Sequence, residues 1–314
     1  MKRKALGVMK LLVSVALFSY LLSIVNFDKT LARLQTIDFR YLGLALVFLV
    51  GQVAISAAKW WLILRSDGIR TPYLLLLKSY YIGNFFSLFL PSSFGGDVYR
   101  VLAVTSSNQK LGKTTSSVLF DRLTGLFALL SIAVIAYVSL PGQKYDVIAL
   151  ICYGFGVVCF WFSTTNYIII PLQKSAFSIV RKIAVLFRSF QTYRRDLASL
   201  WMIMAIAFVF QFMIVAINKL YATALDIDIT FAHLLVIVPL VYLTEVIPFS
   251  INGIGIRDSA FVFFFVLAGH TKEEGLAIAL LVLAMRYVSG LIGGNVLLAS
   301  VVRNNFLGKT TADN

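Results

Sequence analysis

The chain has 314 residues, of which 60% are hydrophobic and only 13% charged, and its formal net charge is +14. Ordinary soluble domains carry about 25% charged residues, and here the apolar residues come in runs of roughly 20, the length that crosses a bilayer. This excludes a soluble domain, and it assigns the basic excess to topology and anionic headgroups rather than nucleic acid, because the bases lie mostly in short loops.

Met1-Lys-Arg-Lys precedes an apolar run from Ala5 to about Asn26. The run is longer than the core of a signal peptide and has no small-residue cleavage site, so it predicts a retained first helix. Further apolar segments fall near 41–64, 73–90, 97–105, 117–140, 146–170, 199–221, 232–248, 257–269 and 276–302. Cys152 and Cys159 share one predicted helix, about 10 Å apart along its axis, too far for a disulfide. Segment 173–198 places Lys174, Arg181, Lys182, Arg188, Arg194 and Arg195 among apolar residues. It reads either as an amphipathic helix on the inner membrane surface or as a basic loop that sets topology. With only His233 and His270, no Cys/His metal cluster arises, and neither metal nor cofactor is implied.

Two segments break the apolar pattern alike: Pro91-Ser-Ser-Phe-Gly-Gly-Asp-Val-Tyr-Arg100 and Pro248-Phe-Ser-Ile-Asn-Gly-Ile-Gly-Ile-Arg257-Asp258. The apolar pieces on either side of each break are short. Each unit, 73–105 and 232–269, therefore predicts a re-entrant hairpin of two half-helices. Charge supports this. With both units as hairpins and a cytoplasmic N-terminus, segments 1–10, 59–78, 105–116, 166–198 and 303–314 lie inside, with 18 Lys/Arg and 3 Asp/Glu. Segments 27–40, 141–146, 222–231 and 270–275 lie outside, with 5 Lys/Arg and 7 Asp/Glu. Basic residues gather inside, as the positive-inside rule demands. The predicted fold is an all-α polytopic membrane protein with about six full spans and two re-entrant hairpins. Its halves, 1–143 and 144–314, have the same element order and opposite orientation, an inverted-topology repeat of the kind transporters use. Both termini face the cytoplasm across a cytoplasmic membrane.

The breaks carry the candidate site. Gly95, Gly96, Gly253 and Gly255 permit tight turns, and Ser93, Ser250 and Asn252 supply donors or caps. The half-helix after each break presents free N–H groups, and Arg100 and Arg257 follow about one turn later, which together suit a phosphate. Arg286 falls roughly 15 Å into its span at ~1.5 Å per residue, where a lone arginine is costly, and Glu245 is its candidate partner. Asp97 and Asp258 are acidic neighbours of the arginines. Asp121 and Arg122 sit one turn inside their predicted span, either as site residues or as an interfacial pair. Asn84 and Gln211 are polar groups in apolar runs, more often helix-to-helix links than ligands. The competing reading makes the hairpins purely architectural, with Arg100 paired to Asp97 and Arg257 to Asp258. An intramembrane aspartyl enzyme using Asp97 and Asp258 has little support in the flanking sequence.

Asn84 with the first break, Asp121-Arg122-Leu-Thr-Gly125, and Pro248 through Asn252-Gly-Ile-Gly-Ile-Arg257-Asp258 together resemble the lysylphosphatidylglycerol synthase transmembrane, or flippase-like, family. The resemblance covers nearly the whole chain. It implies movement of a lipid with an anionic or phosphate-bearing headgroup between leaflets. Synthase activity is not expected, since the chain carries no cytosolic aminoacyl-transfer domain. The alternative is a membrane scaffold or partner of a cell-envelope glycosyltransferase or lipid synthase. With Cys152 and Cys159 replaced by serine, Lys272→Cys is expected to react with a membrane-impermeant maleimide on intact cells. Lys113→Cys should react only after lysis, and the opposite pattern would invert the topology.

Overall fold

A computed structural model describes residues 2–89, 95–105, 111–138, 154, 196–245 and 253–310. Ten helices and no strand are present among them: α1 Lys2–Ile24, α2 Phe27–Gln35, α3 Phe39–Ser66, α4 Tyr73–Phe89, α5 Gly95–Thr105, α6 Leu111–Val138, α7 Leu197–Ala224, α8 Phe231–Thr244, α9 Ile256–Leu267 and α10 Lys272–Thr310. Phe39–Ser66, Leu111–Ala136, Leu197–Ala224 and Lys272–Arg303 are long and apolar enough to cross a membrane. They match four of the six predicted spans, and α1 covers a fifth. The predicted span 146–170 (apart from Gly154), residues 173–195 of the basic segment 173–198 and the join near Gln143 lie outside the described residues.

Polar caps set several helix starts. Asn26, Asp38 and Thr230 accept from the N–H groups of Lys29, Arg40 and His233, which satisfies donors that a helix start leaves unpaired. Asp196 does the same for Ser199 ahead of α7. The Ser199 hydroxyl, then its backbone N–H, hold the exposed Asp196 carboxyl below the usual carboxylate range. The short helix α2 lies in a segment predicted as an outer loop. Arg33 pins it, pairing with Glu274 at 2.7 Å and donating to the carbonyls of Leu225 and Asp226.

Helices α5 and α9 have 11 and 12 residues, about 17–18 Å at ~1.5 Å per residue, too short for a hydrocarbon core of about 30 Å. Each packs on the helix before its break, α5 on α4 and α9 on α8. In the first pair Gly83 meets Gly96, and Tyr80, one turn further from the break, meets Arg100. Contacts that recede from the break together mark an antiparallel pair. The glycines make this approach possible, since a Cβ on Gly96 would stand 2.5 Å from the Gly83 carbonyl oxygen and from Ser87 Oγ.

The two halves interlock. Helix α4 packs on α10, α6 on α8, and α3 on α7. A stripe of Gly290, Gly293 and Gly294 lets α10 lie directly against Leu88, Tyr81 and Phe85 of α4. Any side chain on Gly293 would collide with the Tyr81 carbonyl, a backbone atom that cannot swing away. Gly43 of α3 has open space around its Cβ position. Gly293→Ala is therefore expected to destabilise by about 1–3 kcal/mol through overpacking. Gly43→Ala should be neutral or stabilise by up to about 1 kcal/mol. Thermal unfolding of the two variants in detergent reads the contrast.

Candidate functional site

The first cluster grows from α3, α4, α5 and α6. Arg100 donates to Asp97 Oδ1 at 3.0 Å, to Asp121 Oδ2 at 3.1 Å, and to the Tyr80 hydroxyl. Tyr80 in turn donates to Asp121 Oδ2 at 3.0 Å. The Arg100 guanidinium carbon lies 3.7 Å from the Tyr80 ring centroid and 4.4 Å from that of Trp60. Cation–π contact of this kind is worth up to about 2 kcal/mol when desolvated. Lys59 Nζ donates to the Asp121 backbone carbonyl at 2.9 Å and stands 3.0 Å from Asp121 Oδ1. That second contact is a charge pair without hydrogen-bond geometry. The other oxygen of Asp97 accepts from Arg122 Nε.

The second cluster forms where α8 ends and α9 begins. Glu245 terminates α8. Its Oε1 accepts from Arg286 of α10 at 2.6 Å and from Arg257 at 3.4 Å. Arg257 also holds Asp258 Oδ1 at 2.9 and 3.2 Å, while Asp258 Oδ2 accepts from the Gly255 N–H and caps α9. Gly253 and Gly255 have φ of +78° and +85°, the left-handed region that side chains rarely adopt. A Cβ on Gly253 would crowd Glu245, and one on Gly255 would crowd Ser14 and Leu17 of α1.

The clusters share a plan. In each, one carboxylate bridges a buried arginine to a more accessible one. Asp97 joins Arg100, whose side chain is 7% exposed, to Arg122 at 41%. Glu245 joins Arg257 at 0% to Arg286 at 29%. Both bridges open on a single cavity of about 400 Å³, lined also by Asn84 and Gly96. Its charged lining is Arg100, Arg122 and Arg286 against Asp97 and Glu245, an excess of one positive charge. Two protein halves thus deliver ionisable groups to one water-accessible space.

With this geometry established, comparison places the chain. The profile for the lysylphosphatidylglycerol synthase TM region matches residues 7–294. The chain belongs to that family. A UPF0104 membrane protein of Pyrococcus horikoshii is 24% identical over 178 residues, 56% of this chain and 51% of that one. The chain thus spans about half the length of this curated relative. Family membership and the apolar helices make it a multi-pass membrane protein.

Not every candidate reaches the cavity. Asp121, Arg257 and Asp258 sit behind it as buried partners, Gly253 and Gly255 shape the turn before α9, and Gly95 is the buried first residue of α5. Ser93, Ser250 and Asn252 lie outside the described residues. Asn84 donates weakly to Ser289 at 3.5 Å, joining α4 to α10, and Gln211 donates to the Gly125 carbonyl at 2.9 Å. Asp121 and Arg122 do not form an interfacial pair. Helix α6 starts at Leu111, so Asp121 lies ten residues inside it, and the two residues hold different partners. Arg100–Asp97 and Arg257–Asp258, the pairs of the architectural reading, both form. Sequence reasoning missed Lys59, counted among cytoplasmic charges but only 5% exposed, and the aromatic seat made by Trp60 and Tyr80. The usable signal is a lysine inside a long apolar helix, α3, where an unpaired charge is costly.

Asp121→Asn removes the shared counter-charge of two buried cations, and breaking a buried pair in this way costs about 3–5 kcal/mol. Arg122→Gln removes a partly exposed partner and should cost at most about 1 kcal/mol. The expected order in thermal or denaturant unfolding is parent, then Arg122→Gln close behind, then Asp121→Asn far below.

Proposed function

We propose that the protein is a flippase-like transporter that moves a lipid with an anionic, phosphate-bearing headgroup between leaflets, rather than an enzyme. The single observation that carries this reading is the shared cavity with its excess positive charge, where the carboxylate beside each break, Asp97 or Glu245, holds an accessible arginine from a neighbouring helix, Arg122 of α6 or Arg286 of α10. A phosphate entering the cavity exchanges for Asp97 on Arg122 and for Glu245 on Arg286. Exchange avoids the large cost of stripping water from a bare guanidinium, because each arginine keeps an anionic partner throughout. The freed carboxylates then take a proton or face a cationic part of the headgroup. Acyl chains stay in the lipid.

Alternating access follows from rocking one half, 1–143, against the other, 144–314, as an inverted repeat with re-entrant hairpins. The mirrored packing of α4 on α10 and α6 on α8, and the matching carboxylate bridges, support that arrangement. A second reading, a scaffold for a cell-envelope lipid or glycan enzyme, draws on the fact that both lining carboxylates are already paired.

The test uses proteoliposomes and a leaflet-resolved assay of fluorescent phosphatidylglycerol. The parent protein is expected to exchange the probe between leaflets, and Arg122→Gln/Arg286→Gln to slow exchange at least tenfold while keeping its fold. Native exchange by the folded double variant would sink the site assignment. No exchange by the parent, with a loss of stability in the variant, would favour the scaffold.

A further inference from the structure

The turn between α3 and α4 carries a second basic recess, apart from the central cavity. It is lined by Trp61, Arg65, Gly68, Arg70, Thr71 and Pro72. Its two arginines differ from those of the cavity. Arg65 and Arg70 are exposed, and neither forms an ion pair among the described residues. Arg65 lies over the Trp61 ring, 5.2 Å from its centroid. That contact orients the guanidinium and leaves its N–H edge for another partner. Asp67, the acidic residue of the turn, does not line the recess. Thr71 does, and although 93% buried (7% exposed) its hydroxyl has no hydrogen-bond partner. A buried hydroxyl without a partner costs about 1–3 kcal/mol and calls for an acceptor or donor that a ligand can supply.

The recess also stands at the right level. It follows directly on Phe39–Ser66, a helix long enough to span the bilayer, so it sits where the span meets water. Trp61 near such an end is typical of the interfacial belt, the depth of lipid phosphates. Two unpaired arginines, an aromatic support and an unpartnered hydroxyl suit a tetrahedral oxyanion.

We infer that this turn is a phosphate-binding site at the membrane surface, filled by the phosphate of a phospholipid headgroup or by soluble phosphate. It does not depend on the transport reading, because none of its residues lines the central cavity.

Native mass spectrometry of the detergent-purified full chain tests it, with short-chain phosphatidic acid, the matching diacylglycerol and inorganic phosphate as probes. The first two differ only in the phosphate. Phosphatidic acid is expected to form one adduct more than diacylglycerol at this site, and Arg65→Gln/Arg70→Gln to weaken that adduct at least tenfold. Arg122→Gln/Arg286→Gln should leave it in place, which separates it from the cavity. Displacement by inorganic phosphate at comparable concentration assigns the site to phosphate as such, and resistance to it assigns the site to the lipid headgroup. Thr71→Val, nearly isosteric, provides a second variant and should weaken the adduct several-fold with the fold intact. Binding of phosphatidic acid unchanged in both Arg65→Gln/Arg70→Gln and Thr71→Val, or matched by diacylglycerol, would overturn the proposal.

Discussion

An arginine buried among apolar helices cannot shed its charge, because the guanidinium stays protonated under any ordinary condition. It must be given counter-charge and acceptors where it stands. Arg257 is fully buried and Arg100 nearly so, and the architecture around both breaks answers that demand. Asp97 and Asp121 come to Arg100 from α5 and α6, and Tyr80 and Trp60 present ring faces from α4 and α3. Asp258 and Glu245 come to Arg257 from α9 and the end of α8. Four helices in one case and three in the other (with Arg286 of α10) are thereby tied to one another.

The same pairs grade from protein interior to cavity. Asp97 and Glu245 each hold a buried arginine on one side and an accessible one on the other. A change at the accessible arginine is felt at the buried one through a single carboxylate. The buried arginines therefore hold the bridging carboxylates from behind, and Arg122 and Arg286 are the more accessible arginines of the cavity lining. Close helix approach keeps this arrangement compact: Gly83 on Gly96 between α4 and α5, and Gly290 and Gly293 of α10 against α4.

Much of this was legible from residue order. Four of the long spans, the helix ends on either side of the two breaks and the pairing of Glu245 with Arg286 follow from apolar run length and from the cost of a lone arginine in lipid. The start of α6 was not legible. Leu111-Gly-Lys-Thr-Thr-Ser-Ser reads as a polar loop, yet Thr114, Ser116 and Ser117 are fully buried, and Ser117 accepts from the Trp60 indole at 3.0 Å. A buried hydroxyl such as that of Ser117, which finds its partner on α3, lowers a hydropathy average without ending the helix. Lys59 was misplaced for a similar reason: a lysine near the end of a long apolar run resembles a topology signal until its partner, Asp121, is known to face it. Helix α2 escaped because nine residues with three charges in a presumed loop carry no membrane signal.

By itself the sequence determined that this is a helical membrane protein, where its helices break, and which rare charges lie within apolar segments. Those properties depend on local hydrophobicity and on residues such as proline, glycine and arginine whose behaviour is nearly independent of context. Only the tertiary structure decided which carboxylate serves which arginine, that Arg257 is sealed while Arg286 is accessible, and that both breaks open on one cavity. Partners such as Lys59 and Asp121 are 62 residues apart in the chain, and no local pattern links them. Their pairing is a consequence of helix packing, which brings charges together only after the apolar surfaces have set the distances.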